Sequence, residues 1–500
     1  MPDTEIQNPT YMADIRHFFR PQDIGCMAGL GIDLATYEGV KFNAMRIYFK
    51  VRDGEMPEGG PAWSKARTET FYNWMKNDYP RGTAAPQTLR GAQAYTTDDR
   101  FMRAAAKRVD AATLTKTELE KLTKAFTALM TKPETDPDSF FAIAGLHWLP
   151  KPNVYCRHHE NAYNPWHRAY LLRLEDALRR VPGCEDLSMP YWDITAKSIP
   201  DFLFQPPFDR FTFPTDLYDL QDNKIVSQGD KTNRFDATTI LANLERYKVA
   251  DNIEAARGHS HWERFNGWID GRTQDGIIRA HDLGHNATGP TMQSQDIAAF
   301  DPIFWFFHAN WDRLWWEWQL SYSATTLATF KTHLINTADW LDDPVLNGIA
   351  PFPYSTADMI NLANFNVTYE KPKGRLREIE PLMLLSGSMD AEKTFQLGAP
   401  KQVSIRAKDI DRLKIPGSFD VALLVDDEEI ARTGMFQSAT PQHCATCRKA
   451  GLANFDFLVD LADLKGPVSI KVLLHRNGKE QEFPLNLCGC PTVNARLLLA

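Results

Sequence analysis

The sequence predicts a mainly α domain, residues 1–350, joined through a linker, 351–380, to a small antiparallel β domain, 381–500. Three observations lead there. A chain of 500 residues exceeds what one hydrophobic core fills, which favours two domains. Between residues 100 and 350 apolar side chains recur every three or four positions, the period of a helix that turns one face inward. Beyond the breakers Pro351-Phe-Pro-Tyr354 and Lys371-Pro-Lys-Gly374 the apolar runs become short and β-branched.

Residues 1–60 mix apolar runs such as Val40–Val51 with Gly and Pro and are expected to form an N-terminal strand or entry segment. From Thr115 to Met130, Leu119, Leu122, Phe126 and Leu129 share one helical face, and Thr115 with Glu118 forms a capping box in front of it. A second helix, Trp166–Arg180, carries Tyr170, Leu171, Leu174 and Leu178 on one side and ends at Pro182-Gly183. Helical spacing returns at Trp262–Trp268, Gly276–Gly284 and Pro302–Tyr322. In the C-terminal region Val403–Ile405, Val421–Val425 and Val468–Leu474 read as strands.

A net charge of -8 argues against a nucleic-acid partner, since phosphate binding calls for a basic surface. No run of eighteen apolar residues occurs, so no membrane span is expected. The N-terminus lacks the basic-then-apolar pattern of a secretory signal, so the protein is expected to be cytosolic or to have lost a leader already. Seven cysteines are too few and odd in number for a disulfide framework. The partner that remains is a small molecule.

The thirteen histidines are unevenly placed. His147, His158, His159 and His167 lie within one short stretch, and His281, His285 and His308 within another, both among Trp and Phe. His281 and His285 are four residues apart, which stacks two imidazoles on one helical face in a chelating arrangement. His308 follows on the next helical segment and supplies a third nitrogen from across a helix pair. Buried imidazoles in aromatic surroundings need a partner for each nitrogen, and a metal satisfies one nitrogen of every ring. Imidazole-only ligation suits copper or zinc, and two such groups suggest two metals. Asp301, Asp312 and Glu175 stand near His308 and His167, where a carboxylate can hold a distal ring N–H. A helix cap for Asp301 and an ion pair with Arg313 for Asp312 are the alternatives.

Asp301-Pro-Ile-Phe-Trp-Phe-Phe-His308-Ala-Asn-Trp-Asp312-Arg closely resembles the second-copper signature of tyrosinases and related type-3 copper proteins. His158 and His167, nine apart with Trp166-His-Arg and Glu175 following, resemble the second and third ligands of the first copper site, and His147 the first. Tyr191-Trp-Asp193 matches a further landmark. The resemblance spans roughly residues 140–320 and implies a four-helix bundle that holds two copper ions, on His147, His158, His167 and on His281, His285, His308. It also implies that Cys156-Arg157-His158 carries a thioether from the sulfur to the imidazole, which selects His158 over His159 as the ligand.

The chain departs from the family pattern at three places. Tyr163 and Asn164 replace the usual Phe and its neighbour. Asp282 follows the first ligand of the second site where Asn is common, and the usual acidic partner is missing around Ile277–Ala280. The implied activity is that of a bacterial-type tyrosinase: o-hydroxylation of monophenols and oxidation of o-diphenols to o-quinones with O2. A phenol is ionised to only about one part in a thousand at neutral pH, and Asp282 is the candidate base. Asn286 and Met292 are expected at the pocket mouth, and Phe436 is a candidate plug that a C-terminal lid inserts over the coppers. Cys444 and Cys447, next to His443, are open to copper transfer, a disulfide or, with Cys488 and Cys490, a four-thiolate zinc site. The same histidines also serve a catechol oxidase, a hemocyanin-like oxygen carrier or a zinc hydrolase.

Overall fold

In the computed structural model the described residues are 5–82 with short interruptions, 105–150, 155–269, 272–334, 340–341, 348–370, 402–443, 447–448 and 450–498. Residues 1–89 and 90–500 form two compact units. In the first, the run expected as a strand is helical: α1 is Tyr37–Phe42 and α2 Ala44–Arg52, followed by α3, Lys65–Lys76. The reason is visible in the spacing, because Val40, Ala44, Ile47 and Val51 recur at four, three and four residues and are all buried. Trp63, Phe71 and Trp74 complete that unit's core.

The second unit opens its helices as the sequence predicts. α4, Lys116–Thr131, starts at Thr115, whose side chain accepts from Glu118 N while the Glu118 carboxylate accepts from Thr115 N. α5, Tyr163–Arg179, begins one turn early, with Pro165 in the first turn, where its missing N–H leaves nothing unpaired. α6, Ala237–Arg246, and α7, Val249–Arg257, flank Tyr247. α8, Gly276–Thr288, and α9, Ile303–Ser321, are buried along nearly their whole circumference, which makes them the centre of the unit. A Cβ on Gly284 would stand 2.8 Å from the Phe307 ring, so glycine there lets α8 and α9 approach closely.

Apart from a short antiparallel pair, Leu217–Tyr218 with Lys224–Val226, the strands are β1, Ala106–Arg108; β2, Trp268–Ile269; β3, Thr273–Gln274; β4, Val367–Tyr369; β5, Gln402–Asp411; β6, Phe419–Val425; β7, Glu428–Met435; β8, Leu452–Asp460; β9, Val468–Arg476; β10, Lys479–Phe483; and β11, Thr492–Leu498. β1 and β4 pair in parallel against the helices, and Phe352, Ile360, Leu362 and Phe365 between α9 and β4 are buried. The C-terminal strands form two sheets, ordered β11-β5-β8-β3-β2 and β10-β9-β6-β7. Phe419 and Phe455 pack edge to face between them. Pairing is antiparallel except between β8 and β3, where Asn454 and Phe455 meet Thr273 and Gln274 in parallel. A hairpin of the helical region therefore extends a sheet of the β region. Among the described residues no helix is long and apolar enough to cross a membrane.

Candidate metal centre

The central helices supply four of the seven clustered histidines of the sequence. His167 sits in the second turn of α5, His281 and His285 one turn apart on α8, and His308 on α9. His147 follows the short helix Phe140–Ala144, and His158 lies in a turn. They gather into two buried groups: His147, Cys156, His158 and His167, and His281, His285 and His308. Within each group the candidate ligand atoms lie within 4.8 Å of one another. The groups face each other, with His167 and His308 stacked at 4.3 Å and His158 5.7 Å from His281. Burial lowers all six imidazoles, His167 to about 3 and the others well below the usual histidine value. They are neutral, the form that binds a metal.

Hydrogen bonding decides which nitrogen is left for that purpose. His167 Nδ1 donates to Tyr163 O at 2.8 Å, His285 Nδ1 to Met292 O at 2.8 Å, and His281 Nδ1 to Asp282 Oδ1 at 2.9 Å. The Gln295 amide lies 2.7 Å from His158 Nδ1. Among the described residues, Nε2 of His281 and His285 and both nitrogens of His147 and His308 have no hydrogen-bond partner. Orphaned nitrogens at full burial are costly unless something binds them. Two metal ions, one per group, fit these residues, and an imidazole donor set suits copper.

The carboxylates expected to hold the distal N–H groups do other work. Asp312 accepts from Arg168 at 2.5 Å, Arg108 at 2.8 Å and Tyr369 at 2.7 Å. Glu175 pairs with Arg108 at 3.3 Å and accepts from Met189 N at 2.8 Å. Asp301 pairs with Arg234 at 2.5 Å and accepts from Ile303 N, so its alternative as a helix-start residue holds. Arginines distant in sequence reach these acids, and proximity along the chain carries no sign of that. The ring-holding groups are instead two backbone carbonyls, Gln295 and Asp282.

Asp282 is fully buried beside His281, and burial pushes its carboxyl up against the pull of His159 and the Phe436 N–H. Its Oδ2 accepts from His159 Nε2 at 2.9 Å, Gln274 Nε2 at 2.6 Å and Phe436 N at 3.0 Å. Phe436 follows β7 and stacks on the His285 ring at 3.8 Å and 9°, with His158 5.3 Å and His281 6.0 Å away. Asn286 is buried and donates to Asp420 of β6 at 2.9 Å, while Met292 is buried and enters the site only through its carbonyl. Cys156 Sγ lies 3.1 and 3.5 Å from the two nitrogens of His158 and 3.5 Å from His167 Nε2. Cys447 and Cys488 are buried, Cys490 is exposed, and Cys444 lies outside the described residues.

Residues 137–321 match the family model described as the common central domain of tyrosinase. A G-type hemocyanin of Enteroctopus dofleini is 26% identical over 292 residues, 53% of this chain and 9% of that protein. A tyrosinase of Aspergillus oryzae is 39% identical over 98 residues, 18% of each chain. The chain thus spans less than half the length of these curated relatives. The solved tyrosinase of Burkholderia thailandensis at high pH shares the fold with a TM-score of 0.55 at 19% identity, over 79% of this chain and all of that one.

Proposed function

Through residues 137–321 the chain belongs to the tyrosinase and hemocyanin family of type-3 copper proteins, and on that premise we propose that it is a tyrosinase kept latent by its own β domain. In this reading His147, His158 and His167 hold one copper and His281, His285 and His308 the other. The bound copper pair supplies the binding of O2 and takes up the electrons of substrate oxidation. The chain supplies position, dryness and a proton acceptor.

The observation that carries the reading is the stacking of Phe436 on His285. A benzene ring already lies flat on an imidazole of the second group, and a phenol fits the same place once the β domain withdraws. Phe304 and Phe307, 4.1 and 5.4 Å from His308, help keep water from the rings. Withdrawal of Phe436 also removes one N–H donor from Asp282 Oδ2, which makes the carboxylate a stronger acceptor for a phenol proton. The nearness of Cys156 Sγ to the His158 ring, 3.1 Å from its nearer nitrogen, supports the thioether that the family resemblance suggests.

The test is turnover of a monophenol and its catechol by copper-loaded protein, before and after mild detergent or proteolysis displaces the β domain. The reading expects o-quinone from both substrates after displacement. Quinone from the catechol alone supports a catechol oxidase. The covered site also suits an oxygen carrier, and reversible O2 binding without quinone after displacement supports that alternative.

A further inference from the structure

His159 is adjacent to a metal-group histidine yet belongs to neither group, and its backbone is left-handed, with φ 56°. A non-glycine residue there is strained and persists only where its surroundings fix it. Three neighbours do so: the Trp268 ring at 5.0 Å, Asp282 on Nε2 at 2.9 Å, and Arg412 of the β domain, whose Nη1 lies 3.2 Å from Nδ1. Arg412 is itself buried, at 1% exposure.

Arginine carries only donors, so Nδ1 of His159 must be the acceptor and its proton must sit on Nε2, directed at Asp282. Arg412 thereby fixes the tautomer that donates to Asp282 Oδ2. Asp282 in turn fixes His281 through Oδ1, which turns His281 Nε2 toward the other histidines of its group. A second link from the β domain, Phe436 N, arrives on the same carboxylate. The hydrogen-bonded path therefore runs Arg412, His159, Asp282, His281, from one domain into one metal group and not the other.

We propose that His159 is a positioning residue in a relay by which docking of the β domain holds the His281 imidazole, so that the second histidine group binds its metal more tightly in the docked state. The inference rests on the assignment of metals to the two groups and not on turnover. Partners that hold a metal-binding imidazole commonly change metal affinity by about 10- to 100-fold when removed. By linkage, metal in the second group must strengthen docking by the same factor.

The experiment uses the full chain loaded with two coppers and follows their transfer to a Cu(I) chelator without oxygen. Arg412→Met keeps bulk and removes the donor. It should speed release of one copper by roughly tenfold or more and leave the other unchanged. Arg412→Met combined with Asp282→Asn should be no faster than Asp282→Asn alone, because both break one path. His159→Gln, which retains an N–H donor, should restore slower release than His159→Phe. Independently of any variant, amide hydrogen exchange of the wild-type segment holding Phe436 should slow on metal loading, with zinc as well as copper. Equal acceleration of both coppers, no acceleration, additive effects in the double variant, or exchange at Phe436 indifferent to metal overturns the relay. A wild-type chain that holds fewer than two metals overturns the metal assignment itself. If Arg412→Met unfolds the β domain, the wild-type exchange result decides.

Discussion

Replacing Phe436 by alanine removes a wholly buried ring that stacks on His285 at 3.8 Å. Loss of a buried Phe side chain costs about 3–5 kcal/mol, and a tenfold change in an equilibrium constant corresponds to about 1.4 kcal/mol. If the ring is hydrated when the β domain is undocked, the variant shifts docking toward the open state by roughly two to three and a half powers of ten. That is an upper figure, because an undocked ring still finds some apolar contact. The remaining anchors stay: Asp420 accepts from Tyr247 at 2.7 Å and Asn286 at 2.9 Å, and Asp296 accepts from Ser438 at 2.6 Å and Ala439 N at 2.9 Å. Even with the domain docked, the space over His285 is vacated. The assay is kcat/KM for a catechol in the full chain at equal copper content, with and without mild detergent. Phe436→Ala should exceed wild type by at least roughly tenfold without detergent, and the two should converge with it. A variant that retains two coppers but no more activity than wild type would refute the plug.

Asp282→Asn keeps the side chain's size but removes its charge and one of its two acceptor oxygens, so monophenol hydroxylation should slow more than catechol oxidation at equal copper content; an unchanged or higher ratio of the two rates contradicts a base role. Asp312→Ala leaves Arg108 and Arg168 buried without their shared carboxylate and should destabilise the helical core by about 3–5 kcal/mol, read as a fall in unfolding midpoint; a midpoint equal to wild type contradicts the buried network. Burial pushes Asp296 up to about 6 despite the donors Ser438 and Ala439 N, so its contribution to the stability of the folded chain is fully present below about pH 4 and is lost as pH rises through about 6. Asp296→Asn should flatten that part of the stability profile between about pH 4 and 6, and an unaltered profile would show that Asp296 does not couple folding to pH.

The sequence carried the histidine groups because ligation by helices has a period: His281 and His285 had to share a face, and α8 delivers them that way. The capping box at Thr115 and the β-branched runs after residue 400 are equally local signals and were legible for that reason. What holds the rings was not. Tyr163 O and Met292 O are backbone acceptors that any side chain could carry, and Gln295 reaches His158 from 137 residues away. Asp312, Glu175 and Asp301 looked like ring holders because they are close in sequence, but Arg108, Arg168 and Arg234 claim them through tertiary contacts. At Val40–Val51 the apolar run suggested a strand, although its four-three-four spacing was that of a helix. Phe436 was a candidate plug only through the family resemblance, and the path of the chain after β7 is what brings its ring onto His285.

The most direct test of the central claim is o-quinone formation from a catechol by the full chain, measured on a preparation whose copper content is determined in the same sample and whose β domain has been displaced by mild detergent. Two coppers per chain are expected, with quinone formation that disappears when copper is removed and returns when it is restored. Two coppers per chain with no quinone under those conditions would contradict the claim.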